Sequence, residues 1–194
     1  KKLQALTGST WMERHKREDL SHLWMDDANK ILLCKMKLAA AHFPEYSLPE
    51  WSGDDMDIVV EDFMDGVFLM RDLTAERFRK KMKEYFGENM IGWMEKMFPD
   101  TLVLPNGKKA RYHYEEDAPV EISARIEDLM QMRGEHTIAQ GKIKVRYDIL
   151  APNFRTAQKT WDLTGFWKNT YPQIRKELRG RYPKHPWPET VIPQ

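Results

Sequence analysis

The spacing of apolar residues changes once along this chain, near Pro99, and that change limits what the chain can fold into. Before the proline, apolar side chains recur three and four residues apart. After it they mostly alternate. The first period places side chains on one face of a helix and the second on one face of a strand. A chain with one period in each part is expected to be α+β: an N-terminal helical subdomain over residues 1–100, then a small, mostly antiparallel β subdomain over residues 101–194. A C-terminal helix and an extended Pro-rich tail are expected to close the second part.

In the helical part, Leu20, Trp24, Ile31 and Leu38 form one apolar stripe and predict a helix over 19–41. His42-Phe43-Pro44 ends it, because a residue before proline avoids the helical region. Ser52 reads as the cap of a second helix, with Asp54 and Asp55 in its first turn, where the helix dipole favours negative charge. Met56, Val59, Val60, Phe63, Met64 and Val67 are its inward face. Thr74 caps a third helix that buries Phe78, Met82, Tyr85 and Phe86 and stops at Gly87. A short fourth carries Met90, Trp93, Met94 and Met97.

Beyond Pro99, Leu102-Val103-Leu104, Asn106-Gly107 and Lys109 to Tyr114 predict a hairpin, with Asn-Gly in a type I′ turn. Val120 to Met132 suits either a helix or a strand. Lys142 to Leu150 is the clearest strand: Ile143, Val145, Tyr147 and Ile149 alternate with Lys142, Lys144, Arg146 and Asp148. Gln158 to Trp161 reads as one more. Thr170 and Gln173 match a capping box for the last helix, which Gly180 ends. Pro183, Pro186, Pro188 and Pro193 keep the tail out of a helix.

Several classes drop out. The one cysteine, Cys34, cannot form an internal disulfide, so a disulfide-stapled secreted scaffold is excluded and a reducing, cytoplasmic setting is expected. The longest apolar stretch, Ile31 to Phe43, is interrupted by Lys35 and Lys37 and is too short to cross a membrane. No signal peptide is legible, and a start at Lys1 is expected of a fragment or a processed product. His15, His22 and Asp26 follow one another along a helix but lack the ligand set of structural zinc. The acidic run from Asp54 to Asp65 lacks the spacing and central glycine of a calcium loop. No catalytic or metal-binding residue is expected.

The segment from Asp162 to Glu189 is the most informative. Lys168, Arg175, Lys176, Arg179, Arg181 and Lys184 are set among Phe166, Trp167, Tyr171, Tyr182 and Trp187. Arg175 and Arg179 lie four apart on one helical face, opposite Tyr171, Ile174 and Leu178. Guanidinium forks suit phosphate oxygens, and aromatic faces suit unpaired bases. The same residues equally suit docking onto the chain's own protein, with the Pro-Trp tail as a strap. Lys142, Lys144 and Arg146 form a second basic face, continuous with Lys108, Lys109 and Arg111 if their strands are neighbours.

Leu163-Thr164-Gly165-Phe166-Trp167, Tyr171-Pro172 and the run from Arg175 to Pro188 resemble the C-terminal signature of HrpB-type helicases. Leu104-Pro105-Asn106-Gly107 and Leu150-Ala151-Pro152 resemble that family in the same order. Phe43-Pro44-Glu45-Tyr46 and Leu48-Pro49-Glu50-Trp51-Ser52 are similar to its region just upstream. The likeness runs from about Asp19 to Glu189. It implies a bacterial DEAH-box-like parent that hydrolyses ATP, with Mg2+, and remodels RNA. A P-loop needs Gly-x-x-x-x-Gly-Lys-Ser/Thr, and neither that run nor an Asp-Glu-Ala-His box occurs in these 194 residues. This stretch alone is expected not to hydrolyse ATP.

Two functions stay open on this reading. The first is an accessory region that holds RNA for the motor, through Arg175, Arg179 and Arg181, Lys142, Lys144 and Arg146, with Trp167 or Trp187 stacking on bases. The second is a module that clamps the helicase core of its own parent chain, or recruits a partner, without touching RNA.

Overall fold

The computed structural model describes residues 8–191 and divides the chain into two compact units, Lys1–Lys96 and Met97–Gln194.

The first unit is helical: α1 (Gly8–Glu18), α2 (Asp27–His42), α3 (Gly53–Met64), α4 (Ala75–Phe86) and α5 (Glu88–Met97). The helix expected over 19–41 is shorter than its stripe. Asp19 adopts a left-handed conformation and caps a single 3-10 turn, Leu20–Leu23. Asp26 then caps α2, accepting from the Asn29 N–H at 2.7 Å. Asp and the β-region backbone it favours at a cap thus override the stripe. Ser52 and Thr74 cap α3 and α4 as expected; the Ser52 N–H donates to the Asp55 carboxylate at 3.1 Å. Trp24, Phe63 and Phe78 meet in the core with ring centroids 5.1–5.9 Å apart. The Trp11 indole N–H donates to the Val67 carbonyl at 3.0 Å, fixing α1 against the end of α3.

The second unit is a curled sheet of six strands: β1 (Thr101–Val103), β2 (Lys109–His113), β3 (Glu121–Arg125), β4 (His136–Ile138), β5 (Ile143–Leu150) and β6 (Thr156–Thr160). The order is β1-β2-β3-β5-β4, with β6 also on β5. All pairs are antiparallel except β3 with β5. The parallel pair is possible because residues 126–142, including β4, make a long crossover between them. The ambiguous stretch after Val120 resolves as β3 followed by a 3-10 turn, Ile126–Leu129. Ala110, Tyr112, Ile122, Ala124, Val145, Tyr147 and Ile149 fill the inner face.

Two local expectations are corrected. The β1–β2 connection is not a type I′ turn. The Gly107 N–H donates to Leu104 O at 2.8 Å, Gly107 has φ +80°, and Asn106 does not share the positive φ. Pro105 suits the first central position of a type I turn, and Gly107 supplies the left-handed residue that closes a three-residue loop. The capping box at Thr170 does not form either, since Thr170 is itself helical. The helical segment starts earlier, at α6 (Leu163–Gly165), where Asp162 accepts from the Thr164 and Gly165 N–H groups at 2.8 and 2.9 Å. A Cβ on Gly165 would lie 2.8 Å from the Asp162 carboxylate, so this cap needs glycine there. A π-helical stretch, Phe166–Thr170, then leads into α7 (Tyr171–Arg181).

Candidate nucleic-acid interface

Side-chain alternation sorts the second unit's sheet into two faces. With Ala110, Tyr112, Ile122, Tyr147 and Ile149 turned inward, the register carries the intervening residues outward. One row reads Arg111, Ser123, Asp148, Lys159 across β2, β3, β5 and β6. A second reads His113, Glu121, Arg146, and a third places Arg125 beside Leu150. Lys109 and Lys144 share this face. Six cations therefore share it with Glu121 and Asp148, and Glu127, Asp128 and Glu135 from the flanking segments pair with two of them.

Those cations are held in different ways. Glu121 accepts from both Arg146 and Lys159, the latter at 2.8 Å. Burial pushes the Glu121 carboxyl up, but the Lys159 and Arg146 hydrogen bonds outweigh it and hold the group below the usual carboxylate range. Arg125 pairs with Glu127 and Asp128 at 3.1 and 3.3 Å, and Lys144 with Glu135 at 2.8 Å. Lys109 and Arg111 are exposed and have no ion pair among the described residues. Asp128, which also binds Lys108 at 2.6 Å, is raised by burial yet held low by these cations.

Two aromatic side chains stand at the edge of the same face. Phe154, 69% exposed, lies in the β5–β6 turn with the Arg125 guanidinium 5.6 Å from its ring centroid. Trp161, 41% exposed, follows β6, with Arg146 at 5.8 Å. Phe154 has φ +63°. A bulky residue in the left-handed region costs about 1–2 kcal/mol, so the turn holds an exposed phenyl ring where asparagine or glycine would sit without strain.

The sequence-predicted residues fall into separate environments. Arg146 and Lys144 belong to the sheet face. Lys142 is exposed just before β5, at the end of a 3-10 turn. Lys108 lies in the turn before β2, and β3 separates β2 from β5, so the two basic strands share a face without being neighbours. Arg175 is only 16% exposed: its Nε donates to the Trp187 carbonyl at 2.9 Å and it pairs with Glu189 at 3.3 Å. Arg181 pairs with Glu177 at 3.1 Å, while Arg179 is exposed with no ion pair among the described residues. Trp167, expected as a stacking residue, is 6% exposed and donates its indole N–H to Met132 O at 2.9 Å. Its ring packs on Phe166 and Tyr171, which removes it from stacking. Trp187 is half-buried, with its N–H on Tyr182 O at 2.8 Å.

The tail from Tyr182 onward is strapped down. Tyr171 donates to Pro188 O at 2.9 Å, Arg133 to Val191 O at 3.3 Å, and His185 meets Glu127 at 2.9 Å. The composition of the two units differs as well. Residues 1–96 hold fifteen Lys and Arg against eighteen Asp and Glu, net −3; residues 97–194 hold sixteen against twelve, net +4. No group of side chains with a metal-ligand arrangement occurs among the described residues, and no helix there is long and apolar enough to cross a membrane.

The family model for the C-terminal part of ATP-dependent helicases, HrpB_C, matches residues 60–191. The chain belongs to this family. It is similar to the ATP-dependent RNA helicase HrpB of Escherichia coli (strain K12), 29% identical over 170 residues, which cover 86% of this chain and 21% of that protein. It also matches the crystal structure of the E. coli DExH-box NTPase HrpB with a TM-score of 0.84 at 26% identity, over 96% of this chain and 24% of the other. A crystal structure of the E. coli DEAH/RHA helicase HrpB matches with a TM-score of 0.72 at 26% identity, over 93% and 23%. The chain thus spans under a quarter of these relatives' length. It is the C-terminal region of an HrpB-type helicase, as the signature between Leu163 and Pro188 implies, and its α+β fold is that of the matched structures.

Proposed function

We propose that this region holds RNA for a helicase motor carried elsewhere in the parent chain. The observation that carries the reading is the outer sheet face, where Lys109 and Arg111 are exposed with no ion pair among the described residues, beside Arg125, Lys144, Arg146 and Lys159, which are held by carboxylates. Such a face contacts phosphates without reading sequence. The positive balance of residues 97–194 favours the same partner. Strand order β1-β2-β3-β5-β4 with a parallel β3–β5 pair is also that of OB-type Greek-key barrels, which take oligonucleotides on the face of their second and third strands.

Lys142 flanks the face, and Arg179 with Arg181 on α7 is the alternative line of contact. ATP hydrolysis, with its Mg2+, belongs on this reading to the motor, and a cytoplasmic setting fits an RNA substrate. A docking role is the second reading, and one observation favours it for part of the chain. Tyr171, Arg175 and Arg133 each donate to a backbone carbonyl of the tail, so that segment serves the protein's own structure.

The test is a fluorescence anisotropy titration of the 194-residue chain with single-stranded RNA at low and near-physiological salt. Salt-sensitive binding, weakened in a folded K109E/R111E variant, is the expected outcome. A folded chain that binds no RNA at low salt would remove the proposal and leave the docking role.

A further inference from the structure

Charge alone does not choose between single-stranded and duplex RNA, because both present phosphates. The exposed aromatics do. From Phe154 and Trp161, each beside an arginine of the sheet, we infer that the outer face binds unpaired RNA by stacking bases on these two rings. The inference rests on the RNA-holding role proposed above and names its substrate class.

Both rings are exposed although apolar residues of this size are ordinarily drawn into a core. They are not part of one apolar patch that a helix or a second copy would cover, because each is flanked by cations: Arg125 over Phe154, Arg146 over Trp161. An aromatic ring beside a fixed guanidinium suits a nucleotide, whose base stacks while its phosphate takes the charge. The arginines are fixed by carboxylates beneath them, Glu127 and Asp128 for Arg125 and Glu121 for Arg146.

The spacing also fits a strand. Arg125 is in register with Leu150, and Arg146 lies four residues earlier on β5, so the two arginines are about 13 Å apart along it. Arg111 and Lys159 flank the path between them. A flexible single strand can follow such a path and turn a base onto each ring. In a duplex the base faces are closed off by their neighbours and offer the rings nothing to stack on.

The test compares three fluorescent probes on the 194-residue chain: a single-stranded RNA of about 12 nucleotides, the same strand in a duplex, and an abasic strand of equal length. Single-stranded RNA is expected to bind tighter than both others. F154A and W161A should each weaken it about 5- to 150-fold and leave duplex binding unchanged. F154W and W161F should retain the preference, and circular dichroism checks that every variant is folded. If the chain binds RNA but the alanine variants change nothing, or weaken all three probes alike, the stacking inference falls and the charge-based holding role stands. If the chain binds none of the probes, both fall, and the rings are left to a protein partner.

Discussion

Asn29 is fully buried, and both N–H donors and the oxygen of its amide are engaged. Its Nδ2 donates to Trp24 O at 2.6 Å and Ala75 O at 2.8 Å, and its Oδ1 accepts from Arg79 Nε at 2.8 Å. One side chain therefore ties the start of α2 to the start of α4. N29A would leave two carbonyls and one guanidinium donor without it, and should cost roughly 2–4 kcal/mol. Urea unfolding should show a lower midpoint with an unchanged slope. Arg175 illustrates the same principle from the other side. A sequence shows only that a guanidinium is present; whether the protein's own carbonyls have claimed it depends on where the tail runs. R175M keeps the length but removes the Trp187 and Glu189 partners, and should lower stability by about 1–2 kcal/mol. Amide exchange in 182–191 should quicken first, and equal protection in the variant would show that the strap does not depend on Arg175.

At the scale of elements, what could be read from the sequence followed from how local its determinants were. The strand Ile143–Leu150 and the caps at Ser52 and Thr74 rest on spacing and neighbours alone, and both are found. β4, at only three residues, has too short an alternation to register, and the pairing of β3 with β5 depends on a crossover that local patterns do not encode. The sheet face was therefore half legible: Lys144 and Arg146 could be assigned to one side of a strand, but not Glu121 opposite Arg146. Phe154 and Trp161 escaped because nothing local distinguishes an exposed aromatic at a turn from one folded inward. Glu121 joins stability to the proposed function. Its carboxyl titrates below the ordinary range in the folded chain, so its contribution is present above that range and is lost as pH falls through the lowered value. E121Q should flatten the acid limb of the stability curve and lower stability at neutral pH. Arg146 and Lys159 would then be freed, so RNA should bind more tightly. Loss of stability without any gain in binding would mean that these two cations do not face RNA.

For the whole molecule, a formal net charge of +1 hides two opposed balances, −3 over Lys1–Lys96 and +4 over Met97–Gln194. Binding by phosphate contact responds to the local balance, because each neutralised phosphate releases condensed counterions. For a single strand, log K falls against log salt with a slope of about −0.7 per contact. K109E/R111E should therefore make the slope shallower by about 1.4. R179E/R181E changes the net charge by the same amount on α7. If the sheet face is the contact surface, this second variant should leave the slope near the wild-type value. Equal flattening in both would mean that RNA responds to overall charge rather than to a built surface, and flattening in the α7 variant alone would move the contact to the helix. Arg179 and Arg181 are exposed on α7, and Lys109 and Arg111 on the sheet, so neither pair of substitutions disturbs a core. The comparison therefore reads placement and not stability.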